Sequence, residues 1–409
     1  MIISGFTGCK EYIQKDISTE PIFPKTMFKH LCGAKEARKL LIDLCAPVRR
    51  TESLPIAECI DRVVCKDIAS PVDLPGFDRA AMDGFSVRSK DTRGASSSSP
   101  VYLQDFVPIR TGMAVPEGFD AVVMIEDSLL RGRTLEIAAE VHPHRNVSRI
   151  GEDIHSEDIV FKEGHRLRPP DISLLASLGL REIMIYARPK IAIIPTGSEL
   201  VPIASRSLLP GEAYETNGLM AELYVEKWGC KALKSDIVPD DPLRIRQAID
   251  CARDADMIII IGGTSVGEKD YAPNVLAEAG ELLIHGVRVQ PGKPTAFGTV
   301  RGTPVVCLPG YPVAALSDLY LFVRPALKKM AHLNDSLPKF TVRLARKIAS
   351  RPGYVSFVRV ALKDGEAEPI MVSGAGIMSS VAKADGFIII PEEREGVEGG
   401  EMVEFRPFE

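Results

Sequence analysis

The feature that most constrains this chain is a series of short apolar segments between residues 190 and 308, each followed by a turn and a helical pattern. Lys190 to Pro195, Met257 to Ile261 and Val305 to Leu308 read as strands buried on both faces. Leu233 to Val238 reads as another. Between them, Glu215 to Trp228 and Pro242 to Arg253 carry helical spacing, with Gly229 placed to end the first helix. Val313 to Met330 reads as one long helix closing the series. Apolar strands alternating with helices demand a mostly parallel sheet covered by helices on both faces, a three-layer α/β domain.

After about residue 334 the pattern changes to short strands with Gly-rich turns: Phe340 to Ile348, Val355 to Leu362, Pro369 to Val372, Gly386 to Pro391 and Glu401 to Phe405. These predict a small all-β domain. Ahead of the α/β series, Ala34 to Leu44 is an amphipathic helix, 101–126 is strand-like, and 167–178 is helical behind Pro169-Pro170. A chain of 409 residues exceeds what one core usually holds, so two to four domains are expected.

A net charge of -5 provides no basic face for nucleic acid. No apolar run is long enough to span a bilayer and no signal core opens the chain, so a soluble, cytoplasmic protein without membrane contact is expected. The eight cysteines form no Cys-x-x-Cys pair and read as small buried hydrophobes rather than metal ligands or disulfides.

Ligands of an open parallel sheet bind beyond the carboxyl ends of its strands. Three loops leave strands there: Thr196 to Glu199, Gly262 to Asp270, and Pro309 to Pro312. In the second, Gly262, Gly263 and Gly267 let backbone approach a ligand, and Thr264 and Ser265 add hydroxyls. A helix starting near Tyr271 would point its positive end at a phosphate. The same glycines would also serve tight strand-to-helix packing. Glu199, Asp240, Asp241 and Asp270 follow strands, where oxygen ligands could hold Mg²⁺. Asp241 before Pro242 suits a helix cap instead. Lys293, in a Pro-Gly-Lys-Pro turn, is either a cation for an anionic substrate or ordinary solvated surface. Outside the sheet, Pro75 to Phe85, Arg110-Thr111-Gly112 and Arg149 to Asp153 are polar Gly-framed loops that suit a binding edge or a local turn.

Taken together and in order, these segments resemble the molybdopterin molybdenumtransferase family, which includes MoeA proteins and the C-terminal domain of gephyrin. The likeness rests on Pro75 to Phe85, Arg110 to Gly112 with Val115-Pro116, Gly151 to Asp153, Thr196 to Leu200, Gly262 to Asp270, Pro291 to Pro294 and Leu308 to Val313. It implies an elongated multidomain protein: an N-terminal arm (1–25), a linking helical/β domain from two stretches (26–68 and 155–187), and a mixed β-rich domain carrying Asp83 (69–154). A molybdopterin-binding α/β domain (188–333) and a C-terminal small β-barrel (334–409) complete it.

The activity so implied is insertion of molybdate or tungstate into adenylylated molybdopterin, with Mg²⁺ and release of AMP, in molybdenum-cofactor biosynthesis. The resemblance further implies a homodimer with its site at the subunit interface, and an adenylyltransferase as a possible partner. Asp83, Thr111, Glu199, Asp240, Asp270 and Lys293 match catalytic positions. Glu199, Asp240 and Asp270 match the metal set, and Gly262, Gly263, Thr264, Ser265, Gly267, Pro309 and Pro312 the cofactor-binding set. Three residues depart from the pattern: Gln290 and Gly286 where relatives carry Lys, and Tyr311 where many carry Asn. The first two leave Arg288 and Lys293 as substitute cations. The competing readings are the preceding adenylyltransferase and a non-catalytic scaffold or cofactor-binding sensor.

Overall fold

The structure is a computed structural model that describes residues 31–203, 206–264, 271–370 and 378–409. The described chain divides into two compact units, one comprising residues up to Arg50 with Tyr186–Glu409, the other Thr51–Ile185.

The α/β series behaves as its apolar strands require. In chain order it runs β1 (Lys190–Pro195), α1 (Asn217–Lys227), β2 (Lys231–Lys234), α2 (Pro242–Cys251), β3 (Met257–Ile261) and α3 (Tyr271–Ala279). It continues with β4 (Glu281–His285), β5 (Ala296–Val300), β6 (Thr303–Leu308) and α4 (Pro312–Asp318). The sheet order is β2-β1-β3-β6-β5-β4. The first four strands are parallel, and β5 and β4 complete one edge antiparallel. The sequence pattern does not reveal that edge hairpin, because Gly298 interrupts β5 and polar residues begin and end β4. Gly280 and Gly298 lie where a Cβ would strike a neighbouring strand's carbonyl oxygen at 2.0 and 2.1 Å, far inside van der Waals contact.

Successive residues of β3 face opposite cores. Met257, Ile259 and Ile261 join one apolar layer, and Ile258 and Ile260 the other. Burying each such side chain contributes roughly 1.5–3 kcal/mol, so this strand ties the two layers together. The expected long closing helix is instead interrupted: α4 widens into a π-type turn, Leu319–Val323, before helix resumes at Arg324–Met330. The amphipathic helix Ala34–Leu44 buries Ala34, Ala37 and Leu41 in the core that also holds Ile191, Trp228 and Leu319. By its packing this helix joins the compact unit that holds the α/β sheet.

The C-terminal strands close on themselves. Val355–Lys363 pairs with Glu366–Pro369, which pairs in turn with Phe340–Leu344, then Met402–Pro407, then Gly386–Ile390, which returns to Val355–Lys363. Leu344, Val358, Val360, Ala367, Ile388, Ile390 and Phe405 fill this five-stranded barrel. A two-residue strand, Val289–Gln290, adds to its edge alongside Val355–Ser356.

The described residues of the second unit form three apolar clusters. Cys59, Val64 and Ile68 share one with Phe161, Leu167, Leu175, Ile183 and Ile185, so two separated stretches build it. Between them in sequence lie two three-stranded sheets. Gly84–Val87 is flanked by Val107–Ile109 and Ala121–Met124, and Thr134–Ile137 by Val101–Leu103 and Ser128–Arg131.

Candidate functional site

At the carboxyl ends of β1, β3 and β6 the backbones converge closely. The Thr196 amide donates to the Ile261 carbonyl at 2.8 Å, and the Gly262 amide to the Leu308 carbonyl at 3.0 Å. Gly262 has φ +106°, and a Cβ there would lie 2.2 Å from the Thr196 carbonyl oxygen. Only glycine can let the strand end this near its neighbour. Gly262 therefore permits close approach rather than offering a donor, since its own amide already serves the sheet. Gly263, with φ +61°, turns the chain toward α3, whose Ala272 amide donates back to the Gly263 carbonyl at 3.2 Å. Thr264 is buried and turns its hydroxyl to the Leu308 carbonyl at 3.5 Å. Ser265, Gly267 and Asp270 lie outside the described residues.

The loops after β1 and β2 are locked by a reciprocal pair. The Ser198 amide donates to Asp240 Oδ2 at 3.3 Å, and the Asp240 amide donates to Ser198 Oγ at 3.1 Å. Asp240 Oδ1 is buried and has no hydrogen-bond partner among the described residues. Buried carboxylate oxygens are nearly always satisfied, so this oxygen is suited to a cation or an ordered water. Glu199, the residue after Ser198, is exposed. Two oxygen donors at one sheet edge match the chemistry of Mg²⁺. Among the described residues no group of three His, Cys, Asp or Glu side chains is gathered for a metal, and Asp270 falls outside them. Asp241 caps α2, accepting from the Arg244 amide at 3.0 Å, as its place before Pro242 suggested.

Pro309 is buried, Pro312 begins α4 and Tyr311 between them is exposed. Sequence reasoning missed the clamp on this loop. Asn217, the first residue of α1, donates from Nδ2 to the Gly310 carbonyl at 2.7 Å, and its Oδ1 is buried without a partner among the described residues. Buried Glu215 accepts from the Gly218 amide at 2.5 Å and meets Lys234 at 3.4 Å. The polar run Glu215-Thr216-Asn217 opening a helix was the available signal. Lys293 is exposed on its turn. Arg288, considered a substitute cation, instead donates to the Leu31 carbonyl at 2.9 Å.

In the second unit, Asp83 Oδ1 accepts from the Thr111 amide at 2.7 Å and from its hydroxyl at 2.9 Å. These two donors, amide first, hold the carboxyl below its ordinary range. The hairpin of Gly84–Val87 with Val107–Ile109 sets this pairing, because Gly84 sits directly opposite Ile109. Asp78 similarly accepts from the Ile150 amide at 2.8 Å, tying together two of the Gly-framed loops.

This geometry can be compared with known proteins. Residues 33–179 match the model of the MoeA N-terminal region (domain I and II), 192–329 that of a "probable molybdopterin binding domain", and 341–408 that of the MoeA C-terminal region (domain IV). A molybdopterin biosynthesis protein of Methanocaldococcus jannaschii is 37% identical over 400 residues, covering 92% of this chain and 98% of that protein. The molybdopterin molybdenumtransferase of Haemophilus influenzae is 32% identical, covering 91% and 98%. The chain belongs to the molybdopterin molybdenumtransferase family. The crystal structure of a MoeA protein from Pyrococcus horikoshii superimposes with a TM-score of 0.82 at 32% identity, covering 93% of this chain and all of that one. The MoeA-type organisation is thus present throughout the described chain, with a central molybdopterin-binding-type sheet and a closed C-terminal barrel. Among the described residues no helix is long and apolar enough to cross a membrane.

Proposed function

We propose that this member of the family inserts molybdate or tungstate into adenylylated molybdopterin, cleaving the phosphoanhydride with water and releasing AMP. The observation that carries this reading is Asp240: one carboxylate oxygen is fixed by the Ser198 amide, and the other is buried at the carboxyl edge of the sheet without a partner among the described residues. In this reading the close turn at Gly262 and Gly263 admits the pterin phosphate or its adenylate, while Thr264 shapes the loop from beneath. Ser265 and Gly267 complete that loop. Asn217 fixes the Pro309–Pro312 loop, whose Gly310 lies against Gly262. Lys293 attracts the oxyanion, and Arg288, with one donor held by the Leu31 carbonyl, keeps its positive charge nearby in sequence.

Asp240 and Glu199, with Asp270, would hold Mg²⁺, which supplies neutralisation of the charge that develops as a phosphoanhydride opens. Asp240 also orients the attacking water through its free oxygen. The active protein is a homodimer in this reading, with Asp83 and Thr111 of a second copy completing the cleft. It works in the cytoplasm and receives its substrate from a molybdopterin adenylyltransferase.

The test is AMP release from adenylylated molybdopterin with Mg²⁺, molybdate and tungstate being added separately. The wild-type protein is expected to release AMP only with an oxyanion. Asp240→Asn is expected to lower the rate by about a hundredfold or more, the usual scale for a group that stabilises developing charge. ATP consumption without oxyanion dependence would make the protein an adenylyltransferase. Binding without AMP release would make it a sensor or scaffold.

A further inference from the structure

Asp318 is the last residue of α4 and has no exposed surface, yet the proposed reaction does not use it. It lies under the Pro291–Pro294 turn. Its Oδ2 forms a short hydrogen bond with the hydroxyl of Thr295, itself fully buried, and that hydroxyl also lies 2.8 Å from the Gly292 carbonyl. Asp318 Oδ1 packs against Gly292 so tightly that a Cβ there would fall 2.2 Å from it, at a backbone φ of +127°. No hydrogen bond reaches Oδ1 among the described residues.

Counting protons identifies the state of this carboxyl. A threonine hydroxyl has one hydrogen, and both of its neighbours here can otherwise only accept. If Asp318 were ionised, the hydrogen would go to one acceptor, and the second oxygen would face the hydroxyl lone pairs at hydrogen-bonding distance. A protonated Asp318 satisfies both contacts: it donates to Thr295, and Thr295 donates to Gly292. Complete burial independently favours the neutral form and pushes the carboxyl well above its ordinary range. The placement gives the chain of bonds a purpose. The helix that Asp318 ends begins at Pro312, on the loop that Asn217 clamps, and spans only about 10 Å. The turn it grips carries Lys293 and is anchored at its other end by Val289–Gln290 on the barrel.

We propose that Asp318, in its protonated form, is a positioning residue that latches the Gly292–Thr295 turn to α4 and so fixes Lys293 relative to the Pro309–Pro312 loop. The role of Lys293 rests on the function proposed above. The latch itself does not.

The test compares Asp318→Asn, Asp318→Leu and Thr295→Val in the full chain, by amide hydrogen exchange of the segment 286–300 and by steady-state AMP release. Asn presents an N–H donor where the protonated carboxyl presents O–H, so D318N is expected to keep wild-type exchange and a KM for molybdate within about twofold. D318L and T295V are expected to raise exchange of the turn and to raise that KM about tenfold, with kcat changed far less, as for lost positioning of a binding group. Introduced into Lys293→Ala, D318L is expected to add little to the KM. The proposal is overturned if D318N is as harmful as D318L, since the charge would then matter. It is equally overturned if T295V, which is isosteric, leaves exchange and KM unchanged. Should D318L not fold, T295V and D318N carry the comparison. If the wild type releases no AMP, the proposed function fails while the exchange contrast still decides the latch.

Discussion

Glu409 closes a buried junction between the barrel and the α/β domain that one spectroscopic probe can follow. Its Oε2 accepts from Trp228 Nε1 at 2.6 Å and from Arg324 Nε at 2.7 Å, and its Oε1 from Arg324 Nη2 at 3.2 Å. Trp228 and Arg324 are both essentially fully buried, and Arg324 also pairs with Asp335. Breaking a buried pair costs about 3–5 kcal/mol, and a stranded buried N–H about 1–3 kcal/mol more. Asp335 survives as a partner and the Glu409 carboxylate is 23% exposed, so the lower end applies. Glu409→Ala is therefore expected to destabilise this unit by about 3 kcal/mol and Glu409→Gln, which keeps an acceptor for the indole, by about 1–2 kcal/mol.

Trp228 is the chain's single tryptophan and stacks on Tyr224 at 5.0 Å, so its fluorescence during urea unfolding reports this junction directly. With a slope of about 3 kcal/mol per M, E409A moves the midpoint down by about 1 M. Acid adds a second check. Burial pushes the Glu409 carboxyl up, but Arg324, Trp228 and Lys328 together outweigh it and the net shift is downward. A carboxylate lowered on folding contributes stability that is complete above its unfolded range and is lost as pH falls through the lowered value. The gap between wild type and E409Q should accordingly narrow on acidification below about pH 4. Equal midpoints for wild type and E409A at neutral pH, or a gap that widens in acid, would refute the reasoning.

Three further outcomes are expected. Gly262→Ala forces a Cβ onto the Thr196 carbonyl at a positive φ, so it should cost more than the usual 1–2 kcal/mol of left-handed strain and abolish AMP release; unchanged thermal unfolding would contradict the close approach. Thr111→Val removes one of two hydrogen bonds that lower Asp83, so its carboxyl should titrate at higher pH, moving the acid limb of the AMP-release profile upward. Asn217→Ala frees the Gly310 carbonyl and should weaken substrate binding more than it lowers kcat, a split that steady-state kinetics would reveal.

Much of the molecule was legible in the chain itself. The apolar runs at β1, β3 and β6 sit in the sheet as read, because strand positions buried on both faces favour apolar residues without alternation. Asp241 was readable as a cap because capping depends only on neighbours in sequence. Less legible were the antiparallel edge strands, whose glycines serve close approach to a neighbouring strand. The interruption after Asp318 was hidden too, because the side chains of Leu319–Val323 remain apolar throughout.

What the sequence determined by itself was periodic or local: the layered α/β class, the closing set of short strands, and the order of loops that place this chain in its family. What the tertiary structure decided was which of those loop residues are already occupied. Arg288 donates to the Leu31 carbonyl, Thr264 turns inward and the Gly262 amide belongs to the sheet, whereas Asp240 and Asn217 each keep an oxygen unmet among the described residues. Asp318 likewise acquires its neutral state only through burial beneath a turn 23 residues earlier in the chain. Hydrogen-bond satisfaction and desolvation depend on groups far apart in sequence, so no local pattern of residue types can encode them.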